Sequence, residues 1–320
     1  MKIAVLGGTL FIGRAVVEEL ATAGHEITIV HRGEHEPDDL PTANHVHADR
    51  HDIETVRESL KAADPEAVID MRAMVTADAE GLLAVVPPGA RLIVISSIDV
   101  YAAFAALLTN TETEPVPLDE TSKLRSGRHP FRGAVPGRDD YDKLDVEDVV
   151  LPRGATVLRL PMVYGERDYQ RREEFILRRV RAGRERIPIG AGTWLPARGY
   201  VRDVARAIRL AAESSQIAGE VFNLSDRHTH TNGLWAQMII DAADARVQLV
   251  RVDDALLPPD LGSTAALRQH IVANPAKAIS RLDWEPGDPA QNLAASVRWH
   301  LANPPSESDP DFSADDAALQ

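Results

Sequence analysis

Ile3-Ala4-Val5-Leu6-Gly7-Gly8-Thr9-Leu10-Phe11-Ile12-Gly13 is the stretch that decides the fold. Four apolar residues predict a buried strand, and the glycines that follow permit a tight turn and close backbone approach at a helix start. The predicted helix runs from Ile12 to Ala23, with Ile12, Val16, Val17 and Leu20 on one face and Gly24 as its stop. A second strand is expected over Glu26 to Val30. Together they make a βαβ unit in which the glycine turn and the N–H groups of the helix start face a pyrophosphate. Strand signals recur at His45 to His47, Ala67 to Asp70, Arg91 to Ser96 and Thr156 to Leu160. Helical patterns over Ile53 to Ala63 and Ala77 to Val86 alternate with them. That rhythm predicts an α/β fold, a Rossmann-type doubly wound parallel sheet with a smaller C-terminal substrate lobe.

Composition narrows the function. The chain has 320 residues, 44% hydrophobic and 26% charged, which excludes disordered and fibrous classes. Its 35 basic against 49 acidic residues, a net charge of −14, make nucleic acid an unlikely partner. It has no cysteine, so disulfides, thiolate nucleophiles and Cys-held metals are excluded. With no apolar run of membrane-spanning length and no signal-type start, a cytoplasmic location is expected.

Further along, Ala102 to Arg138 reads as a long irregular segment, and a helix is expected over Asp140 to Leu151. A basic helix spans Glu173 to Gly183, and Gly190 to Gly199 reads as a turn-rich crossing. Then come an amphipathic helix over Val201 to Ala212, a strand over Glu220 to Leu224, and helices over Thr231 to Ala245, Pro275 to Leu282 and Pro289 to Leu301, the last capped by Asp288. The expected organisation is a dinucleotide-binding domain over 1–165 to which 200–225 returns. Residues 166–199 and 226–302 form the substrate lobe, and 303–320, with five acids and no base, a disordered acidic tail.

The glycine motif resembles that of the short-chain dehydrogenase/reductase superfamily. Its extended and atypical branch, which contains NAD-dependent epimerases and dehydratases, usually has G-x-x-G-x-x-G, whereas Leu10 stands at the central position here. Within that branch the GGTxFIG form resembles the subgroup that includes the chloroplast stem-loop-binding proteins. Further matches are Ala48-Asp49-Arg50, Ile95 to Tyr101, Leu158 to Gly165 and Gly199 to Ala205. The resemblance implies a cofactor site made of Gly7, Gly8, Thr9, Leu10, Phe11, Ile12, Gly13, His31, Arg32, Asp49, Arg50, Met71, Ala73 and Pro161. Asp49 would meet the adenine amino group and Pro161 the nicotinamide carboxamide. At the end of the second strand Val30-His31-Arg32-Gly33 lacks the acid that grips the ribose of NAD, and Arg32 can pair with a 2′-phosphate, so NADP is favoured over NAD.

The reactive set that the resemblance implies is Ser97 as hydrogen-bond donor, Tyr141 as general acid/base, and a Lys four residues beyond the Tyr that lowers its pKa. That position holds Asp145, an anion that would raise the pKa on a regular helix, while Lys143 lies two residues on. An irregular first helical turn would still bring Lys143 to the ribose. Arg72, Tyr101, Arg198 and Tyr200 are the substrate-binding candidates. His45, His47 and His51 with Asp49 supply no complete ligand shell, so no metal is expected. The arginines from Arg171 to Arg186 read as a solvated helix face. The expected activity is hydride transfer at a carbonyl or carbinol of a sugar-like or other small polar substrate, in an epimerase, dehydratase or reductase. The alternative is a dinucleotide-binding protein with attenuated catalysis, acting as a sensor, scaffold or RNA-binding module. The family also implies a homodimer through the helices flanking Tyr141.

Overall fold

The β-branched runs of the first half become strands of one parallel sheet in a computed structural model that describes residues 1–306 and 311–320. In chain order the first half comprises β1 (Lys2–Leu6), α1 (Phe11–Thr22), β2 (Glu26–His31), β3 (Asn44–His47), α2 (Ile53–Ala63) and β4 (Ala67–Asp70). It continues through α3 (Thr76–Val85), β5 (Arg91–Ser97), α4 (Ala102–Leu108), α5 (Lys143–Val150) and β6 (Thr156–Leu160). The remainder holds β7 (Met162–Tyr164), α6 (Glu174–Arg181), β8 (Arg186–Ile189), β9 (Arg198–Tyr200), α7 (Val201–Glu213) and β10 (Val221–Asn223). Last come α8 (Asn232–Ala242), β11 (Gln248–Arg251), α9 (Ala276–Leu282), α10 (Pro289–Ala302) and α11 (Ser313–Ala318).

The seven-stranded sheet runs β10-β6-β5-β4-β1-β2-β3, every pair parallel. Side chains alternate along β1, so Ile3 and Val5 join Val16, Val17 and Leu20 of α1 and Ile208 of α7. Ala4 and Leu6 face the other way, onto Val56 and Leu60 of α2, Leu82 of α3 and Val146 of α5. Helices therefore cover both faces, which is why the strands read as continuous apolar runs. The strand order reverses between β1 and β4, and this leaves a crevice outside their carboxyl ends where such folds bind ligands. Two further parallel pairs, β7 with β9 and β8 with β11, lie outside the main sheet. Among the described residues no helix is long and apolar enough to cross a membrane.

Three expectations need correction. Within the segment expected to be irregular, Ala102–Leu108 is helical. Helix α5 begins at Lys143 rather than Asp140, because the Asp142 side chain caps it by accepting from the Leu144 N–H at 2.8 Å and is itself gripped by Arg125. The tail expected to be disordered instead folds back over residues 311–320. The Asp315 carboxylate and Arg179 form a buried bidentate pair at 2.6 and 2.7 Å, and α11 packs on β8. Glu307 and Asp309 of that tail lie outside the described residues.

Candidate active site

The glycine turn has no room for side chains. Gly7 has φ +91° and donates its N–H to Val30 O at 3.0 Å. A Cβ on Gly7 would sit 2.5 Å from Arg72 Cγ, one on Gly8 2.8 Å from Val17 Cγ2, and one on Gly13 2.1 Å from Gly7 O. The cradle is thus one that a Cβ would fill, at a helix start whose N-cap, Leu10, offers no side-chain hydrogen bond and whose first turn holds no acid. Those features fit a pyrophosphate. Leu10 is 48% exposed, so its replacement of the central glycine leaves the cradle intact. Thr9 and Phe11 are buried beneath the turn, Ile12 is half-buried, and the Phe11 ring meets Tyr169 edge-on at 6.1 Å.

Around the cradle, Arg32 is exposed and paired with Glu34 at 2.7 Å, and Asp49 is exposed at the end of β3. His31 is buried, its Nδ1 accepting from the Gly33 N–H at 3.2 Å. Arg50, expected at the cofactor, is instead bound by Asp70 at 3.1 and 2.7 Å and lies 3.2 Å from Asp78, so its guanidinium ties β4 to α3. Met71 and Ala73 are buried, whereas Arg72 is exposed beside Gly7 rather than among the residues lining the substrate cleft.

The residues expected to be reactive meet at the ends of β5 and α5. Tyr141 donates its hydroxyl to Asp99 Oδ2 at 2.7 Å, and Ser97 Oγ accepts from the Asp99 N–H at 3.2 Å. Asp99 Oδ1 is buried without a hydrogen-bond partner among the described residues. Burial holds the Asp99 carboxyl above the usual carboxylate range. Burial and then the Asp99 charge push the Tyr141 phenol well above its ordinary value. Tyr141 precedes the helix, so the helical-face argument about Asp145 does not apply. Asp145 instead pairs with Arg128 at 3.0 Å and faces His129 at 3.9 Å. Lys143, the first residue of α5, is fully buried and donates to Ala73 O at 2.5 Å and Ile95 O at 2.9 Å. Burial pushes its ammonium down to about 8, against the opposing pull of Asp70 and Asp99.

Ser97 and Asp99 open onto a cavity of about 270 Å³ whose walls include Phe104, Phe131, Pro161, Met162, Trp194 and Arg172. The Phe131 ring lies 5.3 Å from that of Tyr141. Among the described lining residues Arg172 is the one cation, and its Nε donates to Val163 O at 2.7 Å.

Like Arg72, the other three substrate candidates are not brought to this cleft. Tyr101 is fully buried, its hydroxyl bonded to Asn223 at 2.7 Å and Arg159 at 2.9 Å. Arg198 donates to His230 O at 2.9 Å and to Asn232, and stacks 4.3 Å from the Trp235 ring centroid. Burial pushes its guanidinium down to about 9. Tyr200 donates to Glu166 at 2.7 Å. Asp99 and Arg172, to which the sequence reading gave no role, line it instead. Asp99 sits two residues past Ser97 in the matched strand-end segment, and Arg172 was hidden in a run of arginines. Three others in that run are engaged by acids: Arg178, Arg179 and Arg184 pair with Asp260, Asp315 and Asp316.

Residues 3–86 and 153–225 match the family model described as the NAD dependent epimerase/dehydratase family. The chain is similar to the chloroplast stem-loop binding protein of 41 kDa b from Arabidopsis thaliana, 26% identical over 339 aligned positions covering 99% of this chain and 84% of that protein. Its fold is that of the UDP-glucose 4-epimerase of Thermotoga maritima solved with UDP-glucose, at TM-score 0.70 and 23% identity, covering 95% of this chain and 99% of the other. It is equally that of the dTDP-glucose 4,6-dehydratase of Bacillus anthracis solved with NAD, at TM-score 0.72 and 19% identity over 95% and 97% of the two chains.

Proposed function

This chain belongs to the NAD dependent epimerase/dehydratase family, and from that premise we propose that it is an NAD(P)-dependent enzyme reducing, and in reverse oxidising, a small carbonyl or carbinol substrate. The observation that carries the reading is the Tyr141 hydroxyl, 2.7 Å from Asp99, which lines the cleft together with Ser97. Gly7 to Gly13 would hold the pyrophosphate, Met71, Ala73 and Pro161 the nicotinamide end, and Asp49 the adenine. When bound, the dinucleotide supplies a reversible hydride acceptor at its nicotinamide ring.

The residues of the chain handle the proton. Ser97 polarises the substrate oxygen, and Tyr141 passes its proton to that oxygen as charge develops there. Burial and Asp99 keep the phenol protonated, which suits donation during carbonyl reduction better than abstraction from a carbinol. Lys143 is anchored by the carbonyls of Ala73 and Ile95 and fixes the cationic charge beneath the ends of β4 and β5.

The cleft walls favour a substrate with an apolar body and an anionic end at Arg172 over a sugar. Arg32, exposed next to a strand end that lacks an acid, favours NADP through its 2′-phosphate. Arg32→Ala should then weaken NADPH more than NADH, and equal losses would remove that assignment. The test of activity is consumption of NADPH with a panel of hydrophobic keto acids and, separately, nucleotide-activated keto sugars. Tyr141→Phe must silence whatever turnover appears. Engagement of the Lys143 ammonium by two carbonyls favours a second reading, a dinucleotide-binding protein with attenuated turnover. It predicts tight NADPH binding with no consumption across the panel. An RNA-binding role, suggested by the name of the Arabidopsis relative, is opposed by the acids that neutralise Arg178, Arg179 and Arg184.

A further inference from the structure

Beside the dinucleotide cradle, at the sheet edge, three histidines and a glutamate converge. His45 and His47 lie two residues apart on β3 and so share a face, and His31 at the end of β2 is in register with His47. The fourth group was invisible as a spacing: the connection after β2 doubles back and lays Glu36 over these rings. His47 Nε2 lies 2.6 Å from Glu36 Oε2, His45 Nδ1 3.3 Å from Glu36 Oε1, and His31 Nε2 2.9 Å from His45 Nδ1 and 3.6 Å from Glu36 Oε2. One ligand atom from each of the four lies within 4.8 Å of the others. His51 and Asp49 stand apart, His51 toward Asp78 at 3.7 Å.

The protons on the rings show what the cluster lacks. The Gly33 N–H donates to His31 Nδ1, so the single proton of the neutral ring resides on Nε2 and is donated to His45 Nδ1. His45 Nδ1 is then an acceptor and cannot donate to Glu36. Its lone pair faces a carboxylate oxygen at 3.3 Å with no hydrogen between them. A cation shared by the two removes that conflict.

We propose that His45 Nδ1, His47 Nε2 and the Glu36 carboxylate bind a divalent transition-metal ion of the zinc class. His31 then turns its Nε2–H to Glu36 Oε2 and orients the carboxylate from behind. Two imidazoles and one carboxylate select zinc, cobalt or nickel over magnesium or calcium. Metal–ligand distances of about 2.0–2.1 Å place tetrahedral ligands roughly 3.3 Å apart; His45 Nδ1 already lies 3.3 Å from Glu36 Oε1, and His47 Nε2, 2.6 Å from Oε2 of the same carboxylate, reaches an ion on Oε1 by turning its exposed ring. A cavity of about 330 Å³, lined in part by Glu36 and His45, leaves room for water as fourth ligand. The bound ion would pin residues 32–43 to the sheet edge.

The test uses untagged full-length protein stripped by a chelator and titrated with zinc chloride against a chromophoric zinc indicator. The expected result is one zinc per chain, at least 100-fold weaker in His45→Asn and in His47→Asn, and about 10-fold weaker with the same stoichiometry in His31→Gln. His47 is more than half exposed, so His47→Asn keeps the fold and decides the matter if His45→Asn does not; zinc-free melting curves identify which variants are folded. Cobalt should give the visible absorption of a four-coordinate site in wild type and lose it in His47→Asn. Absence of stoichiometric zinc in the wild type, or stoichiometric zinc of unchanged affinity in both His47→Asn and Glu36→Gln, overturns the proposal.

Discussion

Replacing Gly13 with alanine isolates the cradle from the rest of the molecule. The new Cβ would meet Gly7 O at 2.1 Å, and Gly7 C and Gly8 Cα at 3.1 Å, all backbone atoms with no rotamer to change. An ordinary carbon–oxygen approach is about 3.3 Å, so the turn and the helix start must separate by roughly 1 Å. Their N–H groups then no longer converge on one phosphate. Losing two hydrogen bonds to a charged group, at about 1.5–3 kcal/mol each, weakens the dinucleotide by about 10²–10⁴-fold. Overpacking also destabilises the fold by about 1–3 kcal/mol, so urea denaturation must accompany the binding measurement. The assay is fluorescence titration with NADPH on wild type, Gly13→Ala and Gly127→Ala. A Cβ on Gly127 would meet nothing within 4 Å, so this variant is the control that leaves affinity unchanged. A folded Gly13→Ala that binds NADPH as wild type does would refute the cradle.

Other consequences follow from the same geometry. Tyr141→Phe should lower kcat by at least about 10²-fold with dinucleotide affinity unchanged, measured by steady-state kinetics and titration. Asp99→Asn removes the charge that, after burial, holds the proton on Tyr141, so the alkaline limb of kcat should move to lower pH; an unmoved limb detaches Asp99 from the phenol. Lys143 is depressed to about 8 from an ordinary 10.5, so the unfolded chain binds the extra proton between those values and stability should rise with pH across that window, by about 3 kcal/mol from this group. Urea denaturation at several pH values should show that slope, and Lys143→Met should lose it. Asp315→Ala strands part of the buried charge of Arg179, which Asp260 also contacts at 2.7 Å, and should cost about 3 kcal/mol by urea denaturation. An unchanged midpoint would mean that α11 does not dock.

The fold was legible wherever local pattern and burial coincide. Ile3 to Leu6 is wholly apolar, and Ala67 to Asp70 and Thr156 to Leu160 are rich in Val, Ile and Leu, because helices cover both faces of the sheet, and such runs announce themselves. Strands β7 and β9 have three residues each, β7 directly after Pro161 and β9 with Gly199 at its centre, too short for any period to show. The late start of α5 depends on Arg125 and the backbone of His129, which come from the preceding long segment to hold Asp142. The fold-back of residues 311–320 depends on an ion pair between positions 136 apart, so an acidic composition alone read as disorder.

The glycine turn at a helix start and the approach of Ser97 and Tyr141 to one strand end were legible as positions, because the strand and helix patterns that place them are local; the roles proposed for them await the assays above. Arg198, Tyr200 and Tyr101 were misread because only tertiary packing reveals that their polar atoms are engaged inside the protein. Asp99 and Arg172 were missed for the converse reason: an acid at a strand end and one arginine among several gain meaning only from the cavity they face.

Calorimetric titration of the cofactor-stripped chain with NADP+, NADPH, NAD+ and NADH tests the central claim most directly. The account predicts one site per chain, tight for the NADP pair and weaker for the NAD pair. Absence of binding to all four would contradict it, because the glycine cradle would then hold no dinucleotide.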